Sequence, residues 1–264
     1  MQPSSLPPID EIEALRLLSQ REDHSARYYA AWWLGRERSK SPLTIQLFKE
    51  VLCEFLDSPG KSVGSRELVL NVLRALVHLD ADQLRNYVLA CLKSGDQDVA
   101  VEAVRVVASS RLVDASSTIL GFLDDGSRLD SKMLEACLEA LGDFRNPTDE
   151  VINMLCRYSQ SEETLVSSAS ARSLLRLTED PVWANSLLAL HDNPFIQIRR
   201  SVILDMGSSG WFPFTQFIAQ ASVETSIKMI ALRGIYDDPC GLRNSGVTES
   251  FAKSSVLNCM DELW

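Results

Sequence analysis

Apolar residues recur along this chain at offsets 0, 3, 4, 7 and 8, which is one face of a 3.6-residue helix, and no stretch sustains the period-two alternation of a strand. The helices fall into pairs. The second helix of each pair ends on a comparable residue, at Gly35, Val77, Ala108, Gly142, Arg176 and Gly207, with intervals of 42, 31, 34, 34 and 31 residues. A single pair cannot bury its own apolar face and must bury it against the next pair. Helix starts are marked by a polar residue followed by proline in Ser41-Pro42, Asn146-Pro147, Asp180-Pro181 and Asn193-Pro194, where the missing proline N–H costs nothing.

A period in the low thirties with one helix pair per unit is that of α-solenoids of the HEAT and armadillo kind. The expectation is an all-α fold, a right-handed α-solenoid of about seven HEAT-like helix pairs occupying residues 1–264 as one body, with no sheet. Residues 1–40 form its first unit, and a looser seventh unit runs from Trp211 to Tyr236. The long 42-residue interval holds a glycine- and proline-containing loop, residues 57–65, inserted between the helices of the second unit. Residues 239–264 restart a helical pattern, with Phe251, Leu257 and Met260 on one side, and are expected to cap the open end.

Charge and cysteine usage exclude several functions. The formal charge is −10, from 26 Lys and Arg against 36 Asp and Glu, so the field of the molecule repels polyanions and nucleic acid is not expected as a partner. The first 40 residues are close to neutral, and the acid lies beyond them. Six scattered cysteines with no C-x-x-C pair fit a reducing compartment. No apolar run reaches the roughly 18 residues of a membrane span, and the first residues lack a signal-peptide core, so a cytoplasmic protein is expected. His24, His78 and His191 lack metal-ligand spacing and are not followed by glutamate, so no metal site is expected. Gly60-Lys61-Ser62 lacks the first glycine of a phosphate loop, and no G-x-S-x-G turn is present.

The most informative stretch is the second helix of the first unit, from His24 to Arg36. The offsets place Ala26, Tyr29, Ala30, Trp33 and Leu34 in the core and leave Tyr28 and Trp32 stacked one turn apart on the outer face. Exposed Tyr and Trp dominate contact energy at interfaces. Arg27, Arg36 and Arg38 sit near the same end and offer guanidinium groups to carboxylates. A neighbouring helix or the N-terminal segment lying over the rings would also explain them.

Residues 27–35, Arg-Tyr-Tyr-Ala-Ala-Trp-Trp-Leu-Gly, resemble the signature of the E/F-type phycobilin lyases of cyanobacteria, and the similarity extends to Leu-Arg-Gly-Ile-Tyr-Asp-Asp at residues 232–238. In length and in its aromatic N-terminal helix the chain resembles the E-type subunit, which works as a heterodimer with an F-type subunit. The resemblance implies an enzyme that attaches a phycobilin, an open-chain tetrapyrrole handled as a transferred substrate and not as a prosthetic group. The acceptor would be a cysteine of an apo-phycobiliprotein, most often the phycocyanin α subunit. Such a site needs cations for two propionates, a carboxylate for the pyrrole nitrogens, and apolar walls. Tyr28 and Trp32 are the candidate walls or partner contacts, with Tyr29 and Trp33 as core aromatics of the motif. Arg27, Arg36, Arg199 and Arg200 are the candidate propionate or partner groups. Asp205, at an otherwise apolar offset, is the candidate buried carboxylate, with Asp237 and Asp238 as alternatives. No catalytic residue is assigned. A non-catalytic HEAT-like scaffold or chaperone for phycobiliprotein assembly stays open beside the lyase.

Overall fold

In the computed structural model the described residues are 9–57, 63–79, 81–125, 129–242 and 246–264, with the side chains of residues 63 and 64 left aside. Contacts divide the chain into two compact units, Met1–Ala115 and Ser116–Trp264, where the repeat pattern suggested one body. The division falls between two helix pairs, so it respects the phase of the repeat.

In the first unit, α1 (Glu11–Ser19), α2 (His24–Arg36), α3 (Pro42–Asp57), α4 (Val63–Leu76), α5 (Arg85–Leu92) and α6 (Gln97–Ser109) form three pairs. Asp10, Asp23 and Asp96 cap α1, α2 and α6 by accepting a backbone N–H from the third residue on, which satisfies donors the helix itself cannot. The second helices pack side by side, α2 on α4 and α4 on α6. Phe48, Leu52, Leu68, Leu73 and Leu76 are fully buried between the layers. Burial of a side chain of that size contributes about 1.5–3 kcal/mol.

The second unit holds α7 (Ser116–Asp124), α8 (Ser131–Asp143), α9 (Asp149–Tyr158), α10 (Thr164–Thr178), α11 (Pro181–Leu188), α12 (Ile196–Ser208), α13 (Thr215–Gln220), α14 (Thr225–Asp237) and α15 (Glu249–Asp261). Its second helices, α8, α10, α12 and α14, again stack in chain order. Among the described residues there is no strand. One isolated bridge joins Trp211 and Cys240, with Cys240 N donating to the Gly210 carbonyl at 2.7 Å.

The repeat phase is visible in the backbone. Arg38, Arg111, Arg145, Glu179 and Gly210 all have positive φ, and each lies three residues beyond one of the comparable helix-end positions, where the chain reverses into the next pair. Asp80, the matching residue after Val77, lies outside the described residues, as do residues 58–62 of the inserted loop. Two helix starts fall later than the proline signals suggested. α9 starts at Asp149, where Thr148 is the residue whose hydroxyl accepts from Val151 N, and α12 starts at Ile196. In α15 the buried stripe is Ala252, Val256 and Cys259, which pack on α13 and α14, while Phe251 and Leu257 stay exposed. Of the three residues expected on one side, Met260 packs against this core and Phe251 and Leu257 do not. No described helix is long and apolar enough to cross a membrane.

Candidate functional site

The aromatic helix is rotated by about one position from the orientation its offsets implied. Arg27, Ala30, Ala31, Leu34 and Gly35 face inward, Trp33 is partly buried, and Tyr28, Tyr29 and Trp32 are exposed. The cause is the closeness of α2 to α4. A Cβ built on Gly35 would lie 2.4 Å from the Cβ of Ala75, so that seam admits only small residues and the large rings are turned outward. Tyr29 is thus not a core residue but one half of an exposed ring pair: it stacks on Trp32 with centroids 5.5 Å apart and planes 28° apart. The guanidinium of Arg36 lies over the Trp32 ring, 5.1 Å from its centre, in cation–π geometry. The ring stacked on Trp32 is thus that of Tyr29, where Tyr28 was expected; Tyr28 is exposed as well, and its carbonyl accepts from the buried Asn71 amide of α4 at 2.7 Å.

Arg27 does not belong to this surface. It is 5% exposed, donates to the Leu18 carbonyl at 3.1 Å and pairs with Glu54 of α3 at 3.1 Å, so its charge is spent locking α2 to α1 and α3. Beside Trp32 the ends of α2 and α4 enclose a hollow of about 440 Å³, with Gly35 and Ala75 at its floor and Arg36, Arg38, Asn71, Arg74 and His78 around it. A second hollow of about 400 Å³ shares Arg38 and His78 with the first and adds Lys40.

The other sequence candidates lie in the second unit. Arg199 donates to the carbonyls of Asn193, Pro194 and Ser222, and Arg200 pairs with Glu224, so both arginines fasten the start of α12 to its surroundings. Asp205 is buried as expected, and its partner is the Ser168 hydroxyl of α10, which donates at 2.5 Å. Asp238 is held by Arg145 and Arg176, and Asp237 lies 3.5 Å from Arg233 in an exposed pair. At the centre of this region is Arg172, which sequence reasoning missed. It donates to Ser208 Oγ at 2.8 Å, to the Glu139 carbonyl at 3.0 Å and to Asp143 at 2.7 Å. The available signal was the repeat: its counterparts four residues before the other helix ends are Ala31, Leu73, Val104, Leu138 and Ile203, all apolar.

Burial, reinforced by the nearby Glu139 of α8, pushes the Asp205 carboxyl up to about 7, against the opposing effects of the Ser168 hydrogen bond and Arg172; Glu135 adds to the rise. The folded protein therefore keeps a proton that the unfolded chain releases near the ordinary value of 3.8. Stability from this group is fully present below that lower value and is lost as pH rises through about 7. The contribution of this group to the urea midpoint is expected to fall between about pH 4 and pH 7, and Asp205→Asn, which keeps a group for Ser168 to bond, should flatten the fall and raise the midpoint at the alkaline end. A variant with the unaltered pH dependence would show that another group sets it.

Among the described residues no group of His, Cys, Asp and Glu could hold a metal ion. Burial pushes the thiols of Cys91, Cys137 and Cys240 up to about 12, which leaves these three inert as nucleophiles near neutral pH. What the geometry defines is a helical-repeat binding protein whose first unit displays an aromatic and cationic face. No protein-family model matches the chain. It is 34% identical to the bilin biosynthesis protein RpcE of Synechococcus sp. WH8020, over 98% of this chain and 97% of that one. It is 30% identical to the phycocyanobilin lyase subunit alpha of Synechocystis sp., over 95% of each. The solved complex of CpcE and CpcF of phycocyanin lyase from Nostoc sp. PCC7120 contains a chain that superposes with a TM-score of 0.80 at 26% identity, covering 100% of this chain and 98% of that one. The chain belongs to the family of phycobilin lyase subunits that includes RpcE and the phycocyanobilin lyase alpha subunits.

Proposed function

We propose that this chain is the E-type subunit of a heterodimeric phycobilin lyase. With an F-type partner it presents an open-chain tetrapyrrole to a cysteine of an apo-phycobiliprotein, the phycocyanin α subunit being the first candidate. The chemistry is an addition. The cysteine sulfur forms one S–C bond to the exocyclic carbon of ring A, the exocyclic double bond is consumed, and the proton given up by the thiol is balanced by one taken up on carbon, so neither reactant loses a group. A lyase contributes orientation, one stereochemical outcome and shelter for a flexible pigment. This fits a chain whose site has walls and cations and no assigned nucleophile. Six free thiols suit a reducing cytoplasm, where we place the reaction.

The observation that carries the reading is the exposed surface of Tyr28, Tyr29 and Trp32 with Arg36 over the Trp32 ring. Stacked rings with an adjoining guanidinium match a long conjugated ligand, or the partner that holds it, and exposure of this much aromatic area costs solubility unless something covers it. The test is co-expression of the chain with an F-type partner, a bilin-producing pathway and apo-phycocyanin α subunit, reading zinc-induced fluorescence of the denatured α subunit. Covalent fluorescence should depend on this chain. Tyr28→Ala, Tyr29→Ala and Trp32→Ala together should lower it by about thirtyfold or more, since an interface ring of this kind carries about 2 kcal/mol or more. Helical circular dichroism should be unchanged, because the rings are outside the core. Full transfer by the triple variant would end the assignment of this face. Binding of the phycobiliprotein with no attachment by the unaltered chain would favour a scaffold instead.

A further inference from the structure

The chain is strongly anionic, yet among the described residues no acidic side chain lines the two hollows beside Trp32. Arg36, Arg38, Lys40 and Arg74 bring four formal positive charges to them, and His78 is common to both. The C-terminal ends of α2 and α4 supply partial negative charge, about half a unit each, which falls well short of cancelling four cations. Arg74 is engaged with the buried Glu102 at 3.0 Å, but that carboxylate is shared with Arg105 at 3.1 Å and lies outside the hollows. Among the described residues Arg36 has one carboxylate within ion-pair range, Glu37 at 3.8 Å, and its guanidinium is laid on the Trp32 ring. Together the hollows are within the size range of small-molecule sites, about 300–1,000 Å³.

We infer that this paired hollow is a dicarboxylate site, which takes the two propionates of the tetrapyrrole while the Tyr29–Trp32 stack supports its conjugated system. The inference rests on the lyase reading. It adds Arg38, Lys40, Arg74 and His78 to the residues named from the sequence, and it removes Arg27, Arg199 and Arg200, whose donors are already used within the fold. The two propionates of a bilin hang from its two central rings, side by side, so one compact cluster of cations can hold both while an end of the pigment extends along the aromatic helix. Guanidinium groups with a planar fork and a pre-set position suit carboxylates better than a lysine-only patch would. An acidic segment of a protein partner would use the cations but would leave the adjoining ring stack without a planar ligand.

The test uses the full chain, alone and with its F-type partner, and follows absorbance on titration with phycocyanobilin and with phycocyanobilin dimethyl ester. Two variants carry it. Arg36→Gln with Arg38→Asn removes two exposed charges, asparagine being tolerant of the positive φ at position 38, and Lys40→Gln is added in the second. The free diacid should bind the unaltered chain about tenfold or more tighter than the ester, and the double variant should lose about that factor for the diacid and little for the ester, as expected for charged hydrogen bonds. The triple variant should not distinguish the two ligands. Equal binding of diacid and ester by the unaltered chain, or equal losses for both in the variants, would overturn the propionate site and leave the lyase reading standing. Binding of neither pigment form by chain or heterodimer would overturn the reading itself. A variant that binds pigment normally but loses the phycobiliprotein or the F-type partner would assign the cations to an acidic protein segment and overturn the inference.

Discussion

Arg172→Met is expected to lower the unfolding free energy by about 3–5 kcal/mol, the usual cost of removing one member of a buried charge cluster. The side chain is 5% exposed, and every branch of its guanidinium is used. Methionine restores most of the volume but no donor, so Ser208 Oγ, the Glu139 carbonyl and Asp143 all lose a partner. Arg176 takes over only in part, since its Nε lies 3.3 Å from Asp143 and reaches neither Ser208 Oγ nor the Glu139 carbonyl. It already donates to the Ser208 carbonyl at 2.7 Å and to Asp238 at 2.9 Å, and burial together with the neighbouring Arg172 charge pushes its guanidinium below the ordinary value. Removal of the Arg172 charge also takes away one of the two effects that hold Asp205 down, so the loss should grow as pH rises. Hydrogen exchange locates the damage. Amides of α8, α10 and α12 should lose about two to four powers of ten in protection, while those of α2 and α4 keep theirs. Arg16→Met, which breaks an exposed pair with Glu13 in α1, should leave the urea midpoint where it was. A midpoint for Arg172→Met equal to that of Arg16→Met would show that the cluster does not contribute to stability.

What the sequence made legible divides along physical lines. Helices with a 3.6-residue period and aspartate caps announce themselves locally, and the helix ends aligned by their offsets share, at the five places the described residues cover, one left-handed reversal, at Arg38, Arg111, Arg145, Glu179 and Gly210. Orientation of a helix about its own axis was less legible. In α2 the offsets pointed to one inward face, and the actual one, turned by about one position, is set by a long-range contact, Gly35 against Ala75, that no local pattern contains. Hence Tyr29 and Arg27 exchanged the surroundings expected of them. Arginine was the hardest residue to read, since the same side chain serves as a buried clasp at Arg27 and Arg172, a clamp on carbonyls at Arg199, and an exposed group over a ring at Arg36. The difference lies in which carboxylate or carbonyl arrives from another helix. Asp205 was recognised because an acid at an apolar offset is locally anomalous, although its partner, Ser168, lies 37 residues away.

Gly207→Val should be the second severe substitution, by overpacking and not by loss. A Cβ at this position would lie 2.4 Å from both the Cα and the carbonyl oxygen of Ala231, so the obstacle is the backbone of α14, which has no rotamer into which to retreat. The opposing surface is equally close, since a Cβ on Gly234 would meet the Gly207 carbonyl oxygen at 2.8 Å. Valine places two further methyl groups in that seam, and relief requires α12 and α14 to separate, which uncovers Met206, Leu232 and Ile235 from the core they share. The expected cost is at the top of the usual overpacking range of about 1–3 kcal/mol. Gly121→Ala supplies the contrast. It lies within α7 with nothing within 4 Å of the added methyl, so the lower entropy of alanine in the unfolded chain should act alone and stabilise by about 0.5–1 kcal/mol. Opposite signs for the two glycines, measured as urea midpoints under one set of conditions, would establish that glycine is kept at the ends of the second helices for helix-to-helix contact. Equal small effects would mean that α12 and α14 have room the geometry does not show, and the alignment of Gly35, Gly142 and Gly207 would then need a different physical cause.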